Sequence, residues 1–400
     1  MRLSAVVLCA VVFTAYATIS PYLAILVRSL GFSQGITGLL LGAAEISAIA
    51  APFLFGAWAD RRGDYKTAFL AVIALWIVSG AAILLFKNPL ASALFVPFLA
   101  VGYRATVPLS DAVITVNIGR TGNYGKIRAS GSIVFVLVVL ALQATPVYRP
   151  MNAHNIVFWN LISVTALLAV VLCLPKSFLR PARRPALVNA ALAPKRHVKK
   201  QAGKGRSIWT PAFIVGIAVI FLNRLAFSPI QTYISLYTVE YLQWDAVGLV
   251  VAISAFSEAP FILLSNKILN RWAPNANSQG LYRLLALTTA AVAVRLLCLA
   301  LFPSKIVLVM SQLLHSLTFG VFHPAAIAFV VANVPPEKRA VGMTVYMSLG
   351  TGFPTFLGNI AGGIIIEHAG YRALFGGFIL FALLALLMYG VFGRKMRGRG

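Results

Sequence analysis

Residues Lys176 to Arg206 read KSFLRPARRPALVNAALAPKRHVKKQAGKGR, ten Lys or Arg and no acid, set in a sequence that is otherwise almost unbrokenly apolar. The stretch cuts the chain near its middle. Taken alone, such a basic run suits nucleic acid or an anionic membrane surface. Between long apolar segments it reads instead as a cytoplasmic linker, residues 176–207, joining two membrane bundles, 1–175 and 208–400. A short apolar piece within it, Ala186 to Ala193, is suited to lying on the bilayer surface.

The flanks support that reading. Sixty per cent of residues are hydrophobic, 11% are charged and the mean hydropathy is +0.87. A soluble globule carries about a quarter charged residues, so this composition excludes one and describes a polytopic membrane protein. The net charge of +25 would otherwise raise the question of DNA. Here the cations gather in short loops beside apolar runs of roughly twenty residues, which marks orientation and not nucleic-acid affinity.

Apolar runs predict twelve spans, at about 4–27, 35–57, 67–86, 90–117, 129–147, 155–175, 208–236, 244–268, 284–302, 305–332, 340–366 and 371–392. Six lie on each side of the basic stretch. With twelve spans both termini share a side. Arg2, the loops 58–66, 118–128, 267–283 and 333–339, the central stretch and the tail together hold 26 Lys or Arg. The opposite loops hold five: Arg28, Lys87, Arg149, Lys305 and Arg372. The positive-inside rule then predicts a multi-pass protein of the inner (plasma) membrane with both termini cytoplasmic. The run after Arg2 has the look of a signal peptide, with Ala15 and Ala17 as a cleavage pattern. Its continuation through Pro21 to Val27 favours a first transmembrane helix.

The halves echo each other. Shifted by 210 residues, Gly38 to Arg61 (GLLLGAAEISAIAAPFLFGAWADR) lies against Gly248 to Arg271 (GLVVAISAFSEAPFILLSNKILNR), both second spans running into a basic loop. Parallel six-span repeats are a transporter plan with the site near the midplane. Prolines inside the spans, among them Pro52, Pro108, Pro229 and Pro260, and the glycines crowding span eleven favour bending helices; Gly358 and Gly362 have the spacing that permits close helix contact. Cys9, Cys173 and Cys298 fall in apolar spans and are expected to be small buried hydrophobes, not disulfide or metal ligands.

Six of 43 charged residues fall within the hydrocarbon layer: Glu45, Arg104, Asp111, Arg224, Glu258 and Arg295. Each costs at least a few kcal/mol there unless it faces a cavity or a partner. Three acids and three bases are equally consistent with structural ion pairs and with a solute pathway. Arg104 and Asp111 are seven residues apart, two turns and roughly 10 Å along a helix, so they cannot pair with each other and each needs a partner elsewhere. Span ten adds His315 and His323, whose side chains titrate near neutral pH and suit proton transfer as well as packing. No HExxH, metal-spaced cluster or phosphate loop is present, so neither an enzyme, a metal nor a cofactor is expected.

The loop Gly56 to Lys66, GAWADRRGDYK, resembles the signature of the major facilitator superfamily between spans two and three, with Gly56, Asp60, Arg61 and Gly63 in place. Asp64 and Tyr65 stand where that signature has basic residues. PLSDAVITVNIGRTGNYGKIRASGSIVF (Pro108 to Phe135), SEAPFILLSNKILNR (Ser257 to Arg271), LLHSLTFGVFHPAAIAFV (Leu313 to Val330) and MTVYMSLGTGFPTFLGNIAGG (Met343 to Gly363) are similar to segments of the phenylpropionate permease branch, in matching order. That branch in turn resembles nucleoside:proton symporters.

The resemblance implies an all-α fold of twelve transmembrane helices in two six-helix bundles. It implies that helices 1, 4, 7 and 10 line a cavity, that helices 2, 5, 8 and 11 form the interface between halves, and that the 56–63 loop acts as an inward gate. The cavity residues would be Arg104, Asp111, Arg224 and His323, and Arg104 also resembles the superfamily's helix-four arginine, with Pro108 where a glycine usually follows. Glu45, Glu258 and His315 are the candidates for proton coupling, while Arg295, on a supporting helix, suits a structural pairing role. The function expected is secondary active transport of a small organic solute, anionic or aromatic, by proton-coupled symport and alternating access. Efflux antiport, uncoupled facilitation and a non-transporting receptor or scaffold remain alternatives. Expected partners are that solute, protons and the lipid bilayer, with no nucleic acid, and the chain is expected to act as a monomer.

Overall fold

The computed structural model describes residues 2–86, 88–118, 124–180, 207–274 and 277–395. Lys87, part of the 118–128 loop, residues 181–206 of the basic stretch and the end of the tail lie outside the described residues. Within them the chain is helical, as lipid requires of a backbone whose polar groups must be satisfied within one segment. The helices are α1 (Arg2–Ala17), α2 (Leu23–Ser29), α3 (Gln34–Arg62), α4 (Tyr65–Leu85), α5 (Pro89–Ile118), α6 (Tyr124–Ala144), α7 (Ala153–Cys173), α8 (Lys176–Leu179), α9 (Pro211–Leu236), α10 (Val247–Leu263), α11 (Ser265–Trp272), α12 (Ser278–Leu301), α13 (Lys305–Leu313), α14 (Phe322–Asn333), α15 (Arg339–Val345) and α16 (Phe353–Lys395).

Several starts follow from local sequence. Ser33, Asp64, Asn152, Asn277 and Ser304 each accept a hydrogen bond from the backbone N–H three residues on, satisfying donors that a helix N-terminus leaves open. Gly63 ends α3 at φ 65°, a left-handed conformation that glycine enters without steric cost.

Among the described residues, ten helical stretches are long and apolar enough to cross a membrane, and α10 with α11, bent by 59°, makes an eleventh. The bend follows Pro260 by four residues, and proline there has no N–H to continue the helix ladder. The longest stretch, Pro336–Gly393, is not one rod, because Gly370 (φ 78°, ψ 179°) breaks it. Its two arms cover the ranges expected for spans eleven and twelve.

The chain packs as two units: Met1–Val188 with Thr232–Ala252 and Asn359–His368, and Asn189–Gln231 with Ile253–Gly358 and Ala369–Gly400. In the first, Trp76 is fully buried and its Nε1 donates to Asn160 Oδ1 at 2.9 Å. Asn160 Nδ2 donates to Thr18 Oγ1 (2.8 Å) and Ala15 O (3.2 Å). This satisfied polar chain ties α1, α4 and α7 together where water cannot.

The same unit takes in the end of α9, the start of α10 and the stretch of α16 just before its break at Gly370. Arg28 meets Glu240 at 3.1 Å and Arg149 meets Asp245 at 2.7 Å. Gln34 Nε2 donates to Glu240 at 2.7 Å, and Ser33 Oγ donates to Glu367 at 2.8 Å. Gly38 has Asn359 beside it: an added Cβ would lie 2.5 Å from Asn359 O and 2.8 Å from Tyr233 Oη.

In the second unit Phe213, Phe329 and Tyr282 centre a core with Ile220, Phe322 and Tyr346. Gly216 lies against the Phe329 ring, so its missing side chain is what admits the phenyl group. Three stretches, Tyr237–Tyr241, Ser316–Val321 and Tyr346–Gly352, form π-helical turns. Such turns widen a helix locally and re-aim its side chains. Of the three cysteines, Cys9 is buried, Cys298 half-buried and Cys173 exposed. The expectation of burial fails for Cys173, the last residue of α7, which is exposed.

Candidate functional site

Each unit carries an acid from a second span of its half against a base from the fourth. In the first unit Arg104 Nη2 donates to Glu45 Oε2 at 2.9 Å, across α5 and α3. Arg104 Nε donates to Tyr103 Oη at 3.0 Å. The guanidinium therefore has an anionic partner already in place. Seven residues on, Asp111 stands 3.6 Å from Arg128 Nε, and Arg128 lies over the Phe13 ring at 4.3 Å. The inference that Arg104 and Asp111 need separate partners on other helices thus agrees with the geometry.

Arg128 was missed. It closes the expected 118–128 loop, but α6 begins at Tyr124 and so carries Arg128 into a helix beside Asp111. The signal available was its position one residue before an apolar run.

In the second unit Glu258 Oε2 of α10 lies 3.5 Å from Nε2 of His315. Arg295 of α12, fully buried, donates from Nη1 to Thr318 Oγ1 (2.7 Å) and from Nη2 to Gln312 Oε1 (3.1 Å), with Nη1 3.4 Å from His315 Nδ1. Among the described residues no carboxylate forms an ion pair with it. The structural pairing expected for Arg295 is therefore replaced by neutral acceptors, and Arg295 joins the Glu258–His315 group.

Arg224 of α9 is likewise buried without an ion-pair partner among the described residues. Its Nε and Nη2 donate to Asn223 Oδ1 (3.1 and 2.9 Å), and Nη2 also donates to Thr318 O (2.8 Å). The guanidinium carbon lies 4.4 Å from the Phe227 ring centroid and 3.8 Å from that of Phe322. Flat aromatic faces attract a cation in this arrangement. They also fix its plane while leaving Nη1 outside the hydrogen bonds to Asn223 and Thr318.

His315, Phe319 and His323 form a row of near-parallel rings with centroids 5.6 Å apart at each step. In a regular α-helix residues four apart drift by about 40°. The π-helical turn at Ser316–Val321 puts more residues in each turn, which counters that drift and is compatible with the near-parallel stacking. His323 Nδ1 lies 2.9 Å from Tyr346 Oη. Tyr346, Thr318 and Gln312 carry no charge, and nothing in their spacing distinguished them in the sequence.

The 56–63 loop shows what its unusual residues do. Tyr65 Oη donates to Asp60 Oδ1 at 2.5 Å, and Arg180 Nη2 donates to Asp64 Oδ2 at 2.6 Å. Partial burial pushes the Asp64 carboxyl up, but hydrogen bonds from Arg180 and Thr67 with the Arg180 charge outweigh it and hold it at about 2. Of the two residues that depart from the basic pattern, Tyr65 thus bonds five residues back and Asp64 pairs with Arg180 from beyond α7. Gly56 has open space around it, and Arg61 is exposed.

Residues 2–376 match the MFS_1 like family model. Over 395 residues the chain is 24% identical to a maltose permease of Geobacillus stearothermophilus, covering 97% of this chain and 94% of that one. It is 25% identical over 288 residues to the uncharacterized transporter YwbF of Bacillus subtilis, covering 71% of this chain; the aligned part spans 65% of that protein's length. Among solved structures a point mutant of the nucleoside transporter NupG superposes with a TM-score of 0.79 at 18% identity, covering 98% of this chain and 99% of that one. At that identity the likeness is one of fold.

Proposed function

The chain belongs to the MFS_1 like family and is a membrane transporter of the major facilitator type; from that premise we propose that it is a proton-coupled symporter of a small organic anion, with Glu258 and His315 as the coupling pair. The observation that carries this reading is the difference between the two acid–base pairs. Glu45 and Glu258 lie within three residues of the 210-residue repeat register, as do Arg104 and His315. The partner of Glu45 is an arginine, which keeps its charge throughout the physiological range. The partner of Glu258 is a histidine, which unlike arginine can stay neutral at physiological pH and so leaves the carboxylate without a permanent counter-charge.

One pair is therefore built to stay charged, and the other to change. Glu258 takes up a proton from the side of higher activity and releases it after the transporter has exchanged access to the other side. Glu45 holds Arg104 in place and carries no transported proton. Arg224 receives the solute anion through Nη1, presented between two aromatic faces. Thr318 accepts from Arg295 through Oγ1 and from Arg224 through its carbonyl, so anion binding and the protonation state of the pair act on one short polar path. The same reading places the protein in the plasma membrane with cytoplasmic termini, on the charge bias of its loops.

Purified protein in liposomes tests the proposal. Wild type is expected to accumulate an anionic solute when an inward proton gradient is imposed. Glu258→Gln is expected to exchange solute in counterflow yet lose that accumulation. Accumulation equal to wild type in Glu258→Gln would overturn the coupling assignment.

A further inference from the structure

The contacts of Arg295 determine more than a packing role. Guanidinium nitrogens in proteins are donors only. One N–H of Arg295 Nη1 goes to Thr318 Oγ1, and the same nitrogen lies 3.4 Å from His315 Nδ1. A proton on His315 Nδ1 would set donor against donor. A bare Nδ1 sets an acceptor against the guanidinium, and a neutral imidazole with a bare Nδ1 carries its proton on Nε2. That nitrogen is the one 3.5 Å from Glu258 Oε2.

We infer that Arg295 is a positioning residue that locks His315 in the Nε2–H tautomer with its proton directed at Glu258, so that the proton moved in transport resides on the carboxylate and the imidazole serves as a fixed donor. The groups around His315 agree in direction. Arg295 approaches from α12 and Glu258 from α10. From α9 come the charge of Arg224 and the Phe227 ring, 5.8 Å away. On its own helix Phe319 stacks against it. Glu258 is the only acceptor in this set, and it faces Nε2.

Gln312 is oriented by the same logic. Its Oε1 must face Arg295 Nη2, and it also accepts from Ser254 Oγ at 2.6 Å, which leaves Nε2 to donate to Ser311 Oγ at 3.1 Å. Two of the three polar neighbours of Arg295, His315 and Gln312, are therefore held in one of two chemically possible orientations by a group that cannot accept.

This inference rests on the proposed coupling role for its meaning in transport, but the tautomer itself is readable in protein that transports nothing. The five histidines would be labelled with nitrogen-15, and His315→Gln would identify the His315 signals by their loss. In wild type at pH 7.5 the expected spectrum has a protonated Nε2 and a bare Nδ1. Arg295→Gln, which can accept as well as donate, should produce a second His315 population with the proton on Nδ1. Arg295→Lys, again a donor only, should retain the single tautomer. A wild-type spectrum with the His315 proton on Nδ1, or with both nitrogens protonated, would overturn the inference. An unchanged tautomer in Arg295→Gln would overturn the role given to Arg295. A correct tautomer alongside undiminished proton-driven uptake in Glu258→Gln would uphold the inference and overturn the coupling role instead.

Discussion

Glu258 Oε2 lies 3.5 Å from His315 Nε2, an acid and a titratable base brought together from positions 57 residues apart in sequence. The equivalent acid in the first half, Glu45, meets Arg104 at 2.9 Å. The two pairs are alike in placement and unlike in what they can do with a proton.

Glu45→Gln therefore has a different expected phenotype from Glu258→Gln. It removes the anion from an arginine whose side chain is 28% exposed; leaving a fully buried cation unpaired costs about 3–5 kcal/mol, and solvent access makes the loss smaller here. Thermal unfolding in detergent should show a clear loss of stability, restored in part when Arg104 is also made neutral. Proton dependence of uptake should survive in the fraction that folds. A stable Glu45→Gln protein with lost coupling would reverse the assignment of the two acids.

Arg224→Lys keeps the charge but gives up the planar group held between Phe227 and Phe322. Lysine offers a point charge where a fixed fork stood, and the cation–π contribution of about 1–2 kcal/mol falls. Affinity for an anionic solute, read by thermal shift, is expected to drop about tenfold. Arg224→Gln should drop it further. Undiminished affinity in both would remove Arg224 from the binding site.

Gly38→Val tests the packing of α3 against Asn359 and Tyr233. Backbone atoms of Asn359 cannot move aside as a side chain can, so the contact must open. Overpacking of this kind costs about 1–3 kcal/mol. A cysteine placed at Ser33, whose hydroxyl donates to Glu367, should become more reactive to a water-soluble maleimide in the Gly38→Val background. Equal reactivity in both backgrounds would show that this contact does not hold that end of the unit together.

The Asp64–Arg180 pair predicts an acid sensitivity of known sign. Asp64 stays ionised in the folded chain down to about pH 2, whereas an unfolded aspartate is ionised only above about pH 3.9. A depressed value stabilises the fold fully above the unfolded pKa, and that contribution is lost as pH falls from about 4 through 2. Asp64→Asn should be less stable than wild type at pH 6, with the difference closing on acidification. A difference that widened below pH 4 would contradict the sign.

Parts of this site were legible in the chain. Charges are scarce enough in spans for Glu45, Arg104, Asp111, Arg224, Glu258 and Arg295 to stand out, since each must be compensated. The histidines of span ten were legible for the same reason. Their partners were not. Thr318 and Gln312 accept from Arg295, and Tyr346 meets His323, yet a hydroxyl or amide in a transmembrane helix carries too small a penalty to mark its place. Arg128 was hidden by a helix that starts four residues before it, and Arg295 was read as an ion-pair residue because neutral acceptors leave no charge signal.

What the sequence determined by itself is the class of protein and the order of its parts. A bilayer admits only segments that satisfy their own backbone, so length and apolarity suffice to mark helices, and loop cations suffice to predict their direction. Which charged group meets which was decided only by the tertiary structure. Residues 45 and 104, or 258 and 315, have no spacing that encodes contact, because they sit on different helices whose neighbours and rotation come from packing. That packing left Arg104 beside a carboxylate and Arg224 between two phenyl rings, and so gave two arginines of equal intrinsic chemistry different work.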